Sequence, residues 1–284
     1  MKRNSALKLY VIVGSVLMFL WCVNARADSF SYVTMSAGQF GTVDLNNGDV
    51  SIISPLPSTP AGIATGANGL LYAAETGLEG APNELITINS VNGTTTPVGP
   101  IGVTLTAFAG LTNGALFGLD SSNNLYSLNP LTGAATLVGS TGIQPYNDSF
   151  GFTDGLAGSA TTLFFTLQLG TPNPTLAPSL FSIDPTTGAS TLVGQTGVTD
   201  IAGLGFDQNT LYGFTSPFFS GTTVPSIYTI DTSTAAATFD AQLNPNNGIG
   251  FFGATPAPEP SALLLLGTGL LGLMGIGLYK KRLA

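Results

Sequence analysis

One short pattern returns five times along this chain and leaves few folds open to it. The run Leu180 to Gly194, LFSIDPTTGASTLVG, nearly repeats the run Leu125 to Gly139, LYSLNPLTGAATLVG. Weaker copies start at Phe40, Leu85 and Ile227. Each holds an Asp or Asn, at positions 44, 89, 129, 184 and 231, which are 45, 40, 55 and 47 residues apart. A period in this range with strand-like content is the signature of four-stranded propeller blades.

Each copy reads as a β-hairpin. Apolar and polar residues alternate before the Asp or Asn, as they do in a strand. In Asp184-Pro185-Thr186-Thr187-Gly188, Asp can accept the backbone amide two residues on, and Pro presets φ. Gly then takes the φ > 0 position that closes a bulged hairpin. The Asp and Asn series is therefore assigned to turns rather than to metal binding or catalysis. A second strand pair precedes the hairpins: Ile201–Phe206 with Leu211–Phe214, Phe108–Leu111 with Ala115–Leu119, Gly155–Leu156 with Leu163–Phe165, and Ile63–Ala64 with Leu71–Tyr72. Glycines inside the first strand of each pair suit a crowded centre, and aromatics in the second would fill the space between blades.

The ends of this repeat region complement one another. Phe30–Thr34 resembles a second strand, and Gly248–Gly253 resembles a lone first strand. Together they complete a fifth blade. The expected fold is all-β: a five-bladed β-propeller of four-stranded blades over 28–255, closed by pairing of its N- and C-terminal strands, with a C-terminal transmembrane helix beyond it.

Charge is placed unusually. Charged residues make up 8% of the chain, against about 25% in a typical soluble domain. All seven Lys and Arg lie at positions 2, 3, 8, 26, 280, 281 and 282, and there is no His. The formal net charge is −8. A repeat region without cations cannot neutralise phosphates, so nucleic acid is not an expected partner. Lys Schiff bases, His-based nucleophile pairs, Cys/His zinc sites and arginine clamps are excluded by composition. No cofactor is expected.

Residues 1–27 read as a secretory signal peptide. Lys2, Arg3 and Lys8 give the basic start, Leu9 to Val23 the apolar run, and Ala25-Arg26-Ala27 the small residues of a cleavage site before Asp28. Cys22 is the one cysteine and lies in this segment, so the mature chain has no disulfide. At the other end, Pro258-Glu259-Pro260 precedes an apolar stretch, 262–279, and then Lys280, Lys281 and Arg282. The stretch is just long enough to span a bilayer, and the basic cluster after it favours the cytoplasmic side. The Gly267–Gly272 run, GTGLLG, also fits a dinucleotide fingerprint, but no strand precedes it and no acidic residue follows.

This order, over residues 256–284, resembles the PEP-CTERM sorting signal of Gram-negative bacteria. The resemblance implies an exosortase-type processing enzyme as partner. It also implies export with at least transient inner-membrane anchoring through the C-terminal helix, a final place at the cell surface or outside it, and a host that makes exopolysaccharide.

Short, stereotyped turns are expected on one face of the propeller and longer, variable loops on the other. Function tends to sit on variable loops held by a rigid scaffold. That long-loop face carries Glu75, Glu79, Asp148, Asp154 and Asp200, with Tyr146, Phe218 and Phe219 as aromatic contacts. Carboxylates with backbone carbonyls suit Ca²⁺, yet no compact loop of alternating acids appears, and no metal is assigned. The expected function is a non-enzymatic extracytoplasmic binding or matrix-associated protein, linked through the resemblance to exopolysaccharide or biofilm, with polysaccharide as a candidate ligand. The alternatives are a structural surface or coat protein and a carboxylate-dependent glycosidase, which needs two acids about 5–9 Å apart.

Overall fold

The repeated turns form as their residues dictate. In all five, the Asp or Asn side chain accepts the backbone amide two residues on: Asn46 to Asp44 at 2.9 Å, Val91 to Asn89 at 2.9 Å, Leu131 to Asn129 at 2.8 Å, Thr186 to Asp184 at 2.7 Å and Ser233 to Asp231 at 2.8 Å. The amide four residues on closes each turn onto the Asp or Asn carbonyl at 2.8 Å. That closing residue has φ between +66° and +79°; it is Gly in four turns and Ala235 in the fifth. A computed structural model describes residues 30–76, 82–144, 155–167, 177–216, 224–244 and 250–257. All of them belong to one of the two units into which the chain divides, Ser29–Pro258.

The described residues are all-β, with no helix among them. The chain opens with β1 (Phe30–Met35), β2 (Gln39–Asp44) and β3 (Val50–Pro55). Four antiparallel strands follow as β4 (Pro60–Thr65), β5 (Leu71–Glu75), β6 (Glu84–Ile88) and β7 (Thr95–Pro100). The next four are β8 (Leu105–Gly110), β9 (Leu116–Asp120), β10 (Asn124–Leu128) and β11 (Ala135–Ser140). Then come β12 (Gly155–Gly158), β13 (Leu163–Leu167), β14 (Ser179–Ile183) and β15 (Ser190–Gln195). The last group is β16 (Ile201–Asp207), β17 (Thr210–Thr215), β18 (Ser226–Ile230) and β19 (Ala237–Gln242), and β20 (Phe251–Pro256) ends the series. Single parallel pairings, Gly62 with Phe108 and Gly205 with Ala254, join these groups into two eight-stranded sheets beside one four-stranded sheet.

β20 pairs antiparallel with β1, placing the last strand beside the first. The expected strand at 248–253 is thus corrected to Phe251–Pro256, and its first two residues lie outside the described ones. The strand runs past Gly253 because Ala254, Thr255 and Pro256 pair with Val33, Tyr32 and Ser31 of β1. Within it, Phe251 lies against Phe214, ring centroids 5.3 Å apart, and Gly253 against the backbone of Gly62. The expected helix over 262–279 lies outside the described residues, and no described helix is long and apolar enough to cross a membrane.

The innermost strands neighbour one another in the order β4, β8, β12, β16, β20 and back to β4. Each junction has a glycine set close against the neighbouring backbone, and at four of the five that backbone leaves no room for a side chain. A Cβ on Gly62 would strike the Phe108 carbonyl, and one on Gly158 the Gly110 carbonyl. On Gly155 it would lie 2.9 Å from the Leu204 amide nitrogen, on Gly203 2.6 Å from the Phe251 carbonyl oxygen, and on Gly253 3.1 Å from the Gly62 Cα. Outward from this ring, apolar clusters fill the space between successive sheets. One joins Phe117 and Leu125 to Leu156, Phe165 and Ile183; another joins Val33 and Met35 to Phe214, Ile227 and Phe251.

The outermost strand of every group carries a bulge at the same place. The unpaired residues are Ile53, Val98, Val138, Val193 and Asp240. The extra residue lets two neighbouring side chains take different surroundings. Val138 packs into the core, while Leu137 beside it is exposed.

Two substitution pairs test this packing. Gly133 has φ +78° and its Cβ would strike the Gly99 carbonyl, whereas Gly102 has φ +85° with nothing within 4 Å. Gly102→Ala should cost about 1–2 kcal/mol of backbone strain, and Gly133→Ala measurably more in urea unfolding. Phe251 is 1% exposed and Phe239 is 58% exposed. Phe251→Ala should cost about 3–5 kcal/mol, while Phe239→Ala should stay within about 0.5 kcal/mol. Equal melting temperatures for the second pair would mean that β20 does not close the fold.

Candidate functional site

The sequence places its candidate site on the face of the longer loops. Glu79, Tyr146, Asp148, Asp154, Phe218 and Phe219 lie outside the described residues, as do the signal-cleavage residues Ala25, Ala27 and Asp28 and the sorting residues Pro258, Glu259, Pro260, Lys280, Lys281 and Arg282. Glu75 and Asp200 are described. Asp200 directly precedes β16 with φ +64°, and its carbonyl accepts the Ser216 amide at 2.9 Å. It is thereby committed to the start of the strand through its backbone.

Glu75 ends β5 and is only 3% exposed. Its carboxylate accepts the Ser58 hydroxyl at 3.1 Å, from the segment between β3 and β4. Burial raises its pKa above the ordinary 4.5; the Ser58 bond opposes that shift, and the Glu84 charge adds to it. Among the described residues, no three Cys, Asp or Glu side chains gather closely enough to hold a metal ion.

The opposite face carries a site that sequence reasoning missed. A depression of about 400 Å³ lies where the C-terminal ends of β4, β8, β12, β16 and β20 converge. Ile63, Phe206 and Ala254 supply apolar wall, and Thr65, Asn113 and Thr255 supply hydroxyl and amide groups. A groove of about 310 Å³, lined by Tyr32, Leu70, Asn89 and Val91, also borders Thr65 and Gly69 and so continues from the depression. Among the described residues, no ionisable acid or base other than the Tyr32 phenol lines either space. Such a surface offers shape, apolar contact and neutral hydrogen bonds, and it provides no nucleophile and base pair. The only advance signal was the small residues at the first-strand ends, which by themselves indicate close packing.

The Glu75 environment has a pH consequence. A carboxyl whose pKa is raised on folding weakens the fold as pH climbs from below 4.5 through the folded-state value. Glu75→Gln keeps an acceptor for Ser58 and removes that charge. Its melting temperature should match the parent's near pH 3 and exceed it near pH 7. A parent that melts higher than Glu75→Gln at neutral pH would show that the buried charge is compensated.

Comparison with known proteins adds one sequence finding and several structural ones. Among curated proteins, none matches the chain. The fold is similar to a protein from Agrobacterium tumefaciens assigned as a TolB, with 12% identity and a TM-score of 0.44, covering 74% of this chain and 68% of that one. It is similar to TolB from Acinetobacter baumannii, with 10% identity and a TM-score of 0.47, covering 76% of this chain and 53% of that one. A symmetrical protein from a study of de novo evolutionary emergence matches with 13% identity and a TM-score of 0.45, covering 79% and 93% of the two chains. The family model for the PEP-CTERM protein-sorting motif matches residues 256–281, and the chain therefore ends in a PEP-CTERM sorting motif.

Proposed function

We propose that this chain is a non-enzymatic, extracytoplasmic binding protein, built as a five-bladed propeller and delivered through its PEP-CTERM tail. The matched motif over 256–281 carries the reading, because it implies export, membrane-anchored sorting and an exosortase-type processing partner. The five-blade count is supported by the groups β4–β7, β8–β11, β12–β15, β16–β19 and β20 with β1–β3, and by the cyclic order of their inner strands. The non-enzymatic part is supported by the absence of Lys, Arg and His between Ser29 and Tyr279. The ligand class that suits the axial depression and groove is neutral and rich in hydroxyls. A polysaccharide segment meets that description, with Tyr32 as a stacking surface beside Asn89. The signal peptide delivers the chain to the export machinery, and the mature protein begins at Asp28.

Intact-mass measurement of protein from the native host tests the delivery reading. The expected mature form starts at Asp28 and lacks 262–279. A mass equal to the full 284-residue chain overturns it. A glycan array probed with the exported protein tests the ligand class: binding should favour neutral glycans and survive a rise in salt, and retention of sulfated glycans alone would contradict it.

A further inference from the structure

The folded sheet and the sorting motif overlap. The motif match begins at residue 256, and Pro256 is the last residue of β20. Pro256 stands opposite Ser31 of β1, and the Ala257 amide donates to the Phe30 carbonyl at 2.8 Å. Pro258-Glu259-Pro260 thus starts one residue after the last of the described backbone hydrogen bonds. A side-chain contact holds the same strand end. Thr255 Oγ1 accepts the Thr65 amide at 3.1 Å and lies 3.0 Å from the Thr65 hydroxyl, tying β20 to β4.

The motif's prolines sharpen the consequence. An enzyme that binds a peptide as an extended strand relies on main-chain hydrogen bonds along it. Proline has no amide hydrogen. From 256 to 260 the residues are Pro, Ala, Pro, Glu, Pro, so only Ala257 and Glu259 have an amide to offer. The Ala257 amide is already given to β1. Recognition of the upstream half of the motif and completion of the β1–β20 pairing therefore compete for one donor.

We propose that the end of β20 is a latch on the sorting motif: the processing enzyme engages Pro258-Glu259-Pro260 once Pro256 and Ala257 have peeled from β1, so the stability of this strand end sets the rate of processing. The proposal rests on the PEP-CTERM reading above. It couples sorting to the same strand pairing that brings the chain's two ends together.

Pulse–chase labelling of the full chain in its native host tests it, with three proteins beside the parent. The first carries six Gly and Ser residues inserted between Ala257 and Pro258, which leaves β20 untouched and frees the motif. The second is Thr255→Val, which removes the acceptor of the Thr65 amide and keeps the motif spacing. The third combines both changes. The inserted chain should be processed several-fold faster than the parent. Thr255→Val should be processed about fivefold faster, the factor that one ordinary hydrogen bond represents. In the combined chain, Thr255→Val should add nothing to the insertion. Processing of the inserted chain at or below the parent's rate overturns the latch and leaves the sorting reading intact. Persistence of all four as full-length precursors overturns the sorting reading, and the latch falls with it.

Discussion

Backbone meeting backbone at the centre of the strand ring is the constraint on which everything else in this domain depends. Five strands can pack around one axis only if their main chains come closer than a side chain permits. Gly62, Gly155, Gly158, Gly203 and Gly253 supply that freedom, one at each junction. Once the inner strands are this close, the sheets must diverge outward, and the widening space has to be filled. Aromatics from the neighbouring strands fill it: Phe117, Phe164, Phe165 and Phe214 are all buried, and Phe164 stacks on Phe206 at 6.1 Å. Small residues inside and large ones outside follow from one geometric requirement.

The acids of this domain have no cation to meet. Backbone amides and hydroxyls take the place of salt bridges. Asp120 accepts the Ser122 and Asn124 amides at 2.9 and 2.8 Å, as well as the Tyr126 hydroxyl at 3.2 Å. The Thr186 hydroxyl lowers the Asp184 pKa, and Ser233 acts in the same way on Asp231. Turn chemistry and charge stabilisation are therefore one interaction here. Glu75 stands apart, because its carboxylate accepts the Ser58 hydroxyl and burial dominates its titration.

The turns were legible in the sequence because their physics is local. Asp184, the Thr186 amide that its side chain accepts and the Gly188 amide that its carbonyl accepts lie within five residues of one another, and the same grammar could be read at all five repeats. The closing strand was legible as an element, but its extension to Pro256 depends on Ala254, Thr255 and Pro256 pairing with Val33, Tyr32 and Ser31, contacts between distant parts of the chain. The buried state of Glu75 likewise needs Ser58, which no local pattern ties to it. The axial depression was the least legible, since its wall is assembled from five strand ends spread from Ile63 to Ala257. Loop length and residue type pointed to Tyr146, Asp148, Asp154 and Phe218, and those criteria say nothing about the small side chains that line the depression.

The recurrent bulge on the outermost strands has a consequence for the protein among its own copies. Open sheet edges invite pairing with other chains, and many proteins guard them with lysine. This domain has none to use, and it leaves Ile52, Leu137, Leu192 and Phe239 exposed along those rims. An extra residue in each outer strand breaks the even spacing of donors and acceptors that a docking strand would need. Pro97 removes one donor as well, at the bulge of β7. Irregular spacing thereby takes over the guard duty of absent charge, and crowded copies of the molecule meet at edges that offer no continuous template for fibril growth.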